Sequence, residues 1–163
     1  MTSTTLALYQ FQYNYLLKLV DNISEEQLFS KQSEGYNSAG WILGHICVEA
    51  EDVFHYLNID YPKVPEPWFD WFRNGFGKLD TLADLPAKSE LLDSLHQRYS
   101  LLAGHYAQLS DTARQAPHPS QFMKSLLPDV DSWFAHHLVT HIAVHCGNIV
   151  VWKKLLGLEV GGY

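Results

Sequence analysis

Two histidines four residues apart, His141 and His145, lie in one helical stretch near the C-terminal end of this chain of 163 residues. At that spacing two imidazoles share a helix face about one turn apart and can converge on a single ion at ~2.0–2.1 Å. A third ligand is needed, and His45 supplies it. The later stretch phases as Phe134, Leu138, His141, His145, Asn148, Trp152 and Leu155, a 4-3-4-3-4-3 seam with apolar ends and a polar middle. The earlier one phases as Trp41, His45, Val48 and Asp52, with Gly44 beside His45 leaving room. Burying such polar groups unpartnered costs ~1–3 kcal/mol each. The pattern therefore predicts one divalent ion, Zn²⁺, Ni²⁺ or Fe²⁺, held by His45, His141 and His145 with positions open to water or substrate.

Neighbouring polar residues have less definite roles. His137, one turn before His141, is expected to replace a ligand, hydrogen-bond to one, or face solvent. Asn148 is the remaining polar member of the seam. Asp52, two turns beyond His45, is the nearest acid for a base or an orienting partner, against the plainer reading of a solvated carboxylate near a helix end. His55, His96, His105, His118 and His136 lack a convergent partner in the sequence and read as surface residues. Cys47 and Cys146 read as buried small hydrophobes.

Other chemistries fail on the same residues. A di-iron carboxylate bundle needs glutamates from two helices, and the first and last helices lack interior acids. A zincin needs H-E-x-x-H, and Ile142 follows His141. There is no nucleophile elbow and no Walker loop.

Four helices must position these residues. Leu6, Tyr9, Tyr13, Leu16 and Val20 give a 3.6-residue period over 4–21. Ser24 and Gln27 form a capping-box pattern for a short turn. Helix two follows over 38–58, helix three over 87–109 and helix four over 132–156, with Asp131 as N-cap and Gly157 as stop. Tyr9, Tyr13, Tyr99 and Tyr106 fall on core seams. Between helices two and three, Pro62, Pro65 and Pro67 precede Trp68, Phe69, Trp71, Phe72, Gly75, Phe76 and Gly77, expected to fold as an aromatic covering flap over 68–76 or to serve a dimer face. Helices of 18–25 residues span ~27–38 Å, which the proline-bearing links can cross. The prediction is one all-α domain over 1–163, a four-helix bundle with long crossover connections.

Composition excludes several classes. Eighteen acids against eleven bases give a formal charge of −7, so no global basic field draws the chain to nucleic acid or anionic lipid. Two isolated cysteines form neither a disulfide framework nor a thiolate zinc site. With no basic-flanked leader and no apolar run of ~18–20 residues, a cytoplasmic protein with no membrane or nucleic-acid partner is expected.

The segments NSAGWILGHICVEAEDVF and HIAVHCGNIVVWKKLLGLE, with the proline-rich link after the first, resemble the DinB/YfiT-like superfamily. That family carries W-x-L-x-H on its second helix and H-E-x-x-H-x-G-Q-I, a basic pair and L-L-G on its last. The resemblance implies a bundle with helices two and three parallel and the other two antiparallel to them, often a homodimer. It also implies a mononuclear metal on His45, His141 and His145, and a metal-dependent hydrolase or low-molecular-weight-thiol transferase acting on a small molecule. Ile142 stands where the family has glutamate and Asn148 where it has glutamine. The alternatives are a metal- or small-molecule-binding module without turnover, and a hydrogen-bonded histidine core without metal.

Overall fold

A computed structural model of the chain describes residues 4–30, 36–73, 84–121 and 123–161. Four long helical stretches carry it. They are α1 (Thr4–Asp21), α3 (Ala39–Leu57), α5 (Lys88–Gln108), and a final stretch of α7 (Val130–Ala135), a π-helical turn (His136–Thr140) and α8 (His141–Leu155). Short helices α2 (Glu25–Leu28), α4 (Pro67–Phe72) and α6 (Asp111–Gln115) sit in the links. Among the described residues there is no strand, and the single β-bridge pairs Pro117 with Asp129.

Local chemistry sets the boundaries. Ser24 accepts a hydrogen bond from the Gln27 amide at 3.3 Å, and the Gln27 side chain accepts from the Ser24 amide at 3.1 Å, the reciprocal capping box. Ser38 caps α3 by accepting from the Trp41 amide at 3.2 Å. Asn58 closes α3 in the left-handed conformation, and Gly157, at φ 68°, follows the end of α8. The N-cap of α7 is Asp129, accepting from the Ser132 amide at 2.8 Å, and not the expected Asp131. Asp131 instead accepts from the Tyr106 hydroxyl at 2.7 Å, because α7 starts two residues earlier than the apolar spacing suggested.

Cross-helix contacts give the directions. Glu51 meets Arg98, and Cys47 meets the Leu91 carbonyl, so α3 and α5 run parallel. Tyr13 meets His96 and Tyr9 stacks on Tyr99, so α1 runs antiparallel to α5. Lys153, fully buried, donates to the Leu19 carbonyl at 2.7 Å and to Asn22 Oδ1 at 2.5 Å, which brings the C-terminal ends of α1 and α8 together. Lys88 donates to the carbonyls of Asp21 and Ile23, so two ammonium groups meet carbonyls at and just beyond the C-terminal end of α1. The crossover topology is therefore as predicted.

The core holds Leu16, Leu43, Ile46, Phe54, Leu95, Tyr99, Leu102, Phe134, Ile142 and Trp152, with Cys47 and Cys146 buried among them as unpaired thiols. A polar clasp crosses it. Glu51 accepts from Arg98 Nη2 at 3.1 Å, from the Tyr61 hydroxyl at 3.2 Å and from the Val64 amide, while Arg98 also donates to the Pro62 carbonyl at 2.7 Å. Both charges are nearly inaccessible, with side-chain exposures of 2% and 4%, and each is compensated by the other. This clasp fixes the extended link that leads to α4.

The last helix departs from the predicted seam. A π-turn accommodates one extra residue, so the buried face after it centres on Ile142, His145/Cys146, Ile149 and Trp152/Lys153. Asn148 and Leu155, placed on the interior seam by a continuous heptad, are exposed. His141 comes to the flank of the core.

Candidate metal centre

The three predicted ligands come together. One ligand atom each from His45, His141 and His145 lie within 4.8 Å of one another. Ring centroids are 4.5 Å apart for His141 and His145, 4.9 Å for His45 and His145, and 5.3 Å for His45 and His141. The Nε2 atoms of His141 and His145 approach to 3.1 Å. Two nitrogens bonded tetrahedrally to one ion at ~2.0–2.1 Å would stand about 3.3–3.4 Å apart, so the pair fits a shared cation with little movement.

His45 is held most firmly. Its Nδ1 donates to the Phe72 carbonyl at 2.8 Å, which leaves the Nε2 lone pair free toward the cluster. Its ring stacks on Trp41 at 4.8 Å, and Trp41 in turn donates from Nε1 to the Trp71 carbonyl at 3.0 Å. Both carbonyls belong to α4, the described part of the predicted aromatic flap. Trp68 and Phe72 are buried against this chain, and Phe69 and Trp71 are half-buried. Gly75, Phe76 and Gly77 lie outside the described residues. Gly44 works differently from the sequence reading. A Cβ there would overlap the Phe72 ring, so the missing side chain makes room for α4 and not for an ion.

Burial and neighbouring rings keep the imidazoles neutral, the form that binds metal. Desolvation, reinforced by His145 and His45, pushes His141 down to about 2. Desolvation and then His45 push His145 down to about 4. His45 is lowered by burial, partly opposed by its bond to Phe72. The Nδ1 atoms of His141 and His145 are buried and find no partner among the described residues. The exposed Asn148 supplies none, and Ile142 replaces the acid that would have stood beside His141.

The remaining histidines divide against expectation. His137 is 6% exposed, its ring 6.2 Å from that of His141, so the solvent reading fails; burial drives its pKa to about 3. His136 is half-buried, 5.8 Å from His141. His118 is fully buried and stacks on Trp133 at 5.0 Å, correcting its surface assignment. The partner that covers it, Trp133, comes from the next helix. His105 is half-buried against Phe134, while His55 and His96 are exposed as expected.

Asp52 is not interior. It accepts from Arg73 Nη2 at 2.5 Å, and 43% of its side chain is exposed, so the base suggested by the heptad phase is already engaged. The acid that phase missed is Glu49, four residues after His45 and hence on the same helix face. Desolvation, then Asp52, raises its carboxyl to about 6 despite Arg73 nearby.

An all-α crossover bundle with a three-imidazole cluster between α3 and α8 defines a class of small helical proteins with a candidate mononuclear metal site. The sequence profile of the DinB superfamily matches residues 8–149, and the chain belongs to that superfamily. Among solved structures, the fold is similar to a crystal structure of a protein from Streptococcus pneumoniae, with a TM-score of 0.65 and 15% identity over 93% of this chain and 90% of that one. No curated protein matches the chain in sequence. Among the described residues no helix is long and apolar enough to cross a membrane.

Proposed function

We propose that the protein is a metal-dependent enzyme, a hydrolase or a low-molecular-weight-thiol transferase, in which His45, His141 and His145 hold one zinc, nickel or iron ion. The observation that carries this reading is the convergence of three neutral imidazoles from two helices. Bound there, the ion would supply Lewis acidity, lowering the pKa of a water toward ~7 or favouring a thiolate. The chain's own residues do the rest. The Phe72 carbonyl fixes the tautomer of His45, Trp41 clamps its ring, and α4 screens this side of the cluster from water. A small-molecule substrate and a homodimer complete the proposal.

Metal analysis of tag-free protein tests it, with about one equivalent expected. Less than about a third of an equivalent, together with unchanged stability in His141→Ala and His145→Ala, overturns it. A second reading, a metal-binding module without turnover, is favoured by His136 and His137, from which a fourth ligand would come. Cobalt substitution separates the two, since an open position favours turnover and a closed four-nitrogen shell favours structure.

A further inference from the structure

A cavity of about 180 Å³ adjoins the histidine cluster, walled by Glu49, Asp52, Tyr56, Ser120, Trp133 and His137. Two of these walls touch the centre's own elements. Glu49 follows His45 by one turn of α3, and the His137 ring lies 6.2 Å from His141. At ~30 Å³ per water the space equals about six waters, enough for the end of a substrate but not the whole of one.

The wall carries two carboxylates near one guanidinium, and so a net negative charge. Asp52 is neutralised by Arg73 at 2.5 Å. Glu49 makes no hydrogen bond or ion pair with any described residue, although burial raises the cost of its charged form. The other walls suit a cation that also carries N–H groups. Tyr56 and Trp133 meet edge to face at 5.9 Å and offer aromatic surface, which attracts cations. His137, 94% buried by its 6% exposure, has an Nδ1 with no partner among the described residues. As a neutral imidazole it holds one acceptor nitrogen.

We propose that this recess binds the primary ammonium group of a substrate whose reacting end lies at the three-histidine centre. The second half of that statement rests on the function proposed above; the recess itself contains none of the three ligands. A carboxylate with no hydrogen bond or ion pair to a described residue, a second carboxylate with spare lone pairs, and aromatic walls match a group with three N–H donors and one positive charge. A quaternary ammonium would leave the acceptors unsatisfied, and a neutral alcohol would leave Glu49 without an ion pair.

Isothermal titration calorimetry of the full, metal-free chain at neutral pH tests this with n-butylammonium chloride, compared with 1-butanol, tetramethylammonium and potassium chloride. Saturable binding of butylammonium alone is expected, weakened at least about tenfold by Glu49→Gln. No binding, equal binding of any comparison compound, or undiminished binding by Glu49→Gln overturns the proposal. Glu49→Asp, which keeps the charge, carries the test if Glu49→Gln melts early. Zinc stoichiometry on the same preparation separates the two ideas. Zinc bound without amine binding removes the recess and leaves the metal centre, whereas amine bound without zinc removes the metal centre as the place of reaction.

Discussion

Gly44 positions the centre through what it lacks. Because any Cβ there would overlap the Phe72 ring, and the Phe72 carbonyl orients His45, one added methyl reaches the candidate ligand through α4. Gly44→Ala is expected to destabilise the fold by ~1–3 kcal/mol and to lower zinc affinity about 10–100-fold, measured by thermal melting and by competition with a chelator. Stability lost with affinity unchanged would show that the carbonyl does not position the imidazole. At this scale the sequence was informative about residue types and blind to partners. His45, His141 and His145 could be selected because four-residue spacing and interior phase constrain one another. The claim of Arg73 on Asp52 could not, since it depends on how a proline-broken link returns to α3. Glu49 was within reach, being four residues after His45, but a strict heptad step from Val48 to Asp52 passes over it.

The long helices were legible because apolar period and capping chemistry agree. Helix three was expected over 87–109 and spans Lys88–Gln108. The π-turn was not legible, since no residue type between His136 and Thr140 marks it, and one extra residue per turn changes which face is buried. A register error of that size turned Asn148 outward while His145 stayed inside. Between elements, the Glu51–Arg98 pair joins α3 to α5 and to the link before α4. Glu51→Leu alone leaves a buried guanidinium unpaired and is expected to cost about 3–5 kcal/mol in chemical denaturation. Replacing both, with Glu51→Leu and Arg98→Met, should recover most of that loss. A double variant as unstable as the single one would mean that the clasp's hydrogen bonds to Pro62 and Val64 matter more than its charge balance.

Across the whole molecule, the buried histidines tie stability to pH. His137, His141 and His145 are held near about 3, 2 and 4 in the fold, whereas unfolded imidazoles titrate near ~6.5. Below that value the unfolded chain binds more protons, so stability falls as pH falls, by up to about 1.4 kcal/mol per pH unit for each group. Glu49, raised to about 6, works in the opposite direction and offsets one of the three. Acidifying the metal-free chain from about pH 7 to about pH 5 is therefore expected to lower Tm by several degrees. A flat or rising Tm would contradict the burial of the cluster. The bundle class followed from matched helix lengths and apolar seams. The parallel middle pair followed from the family resemblance, since link lengths alone allowed either pair to be parallel; the ends of the bundle were not legible. Lys153 reaches back 134 positions in the sequence to the Leu19 carbonyl. During synthesis at about 5–20 residues per second, α1 emerges on the order of ten seconds before the lysine that caps it. Until then the Leu19 carbonyl lacks its lysine, so this end of the bundle closes only after Lys153 has left the ribosome.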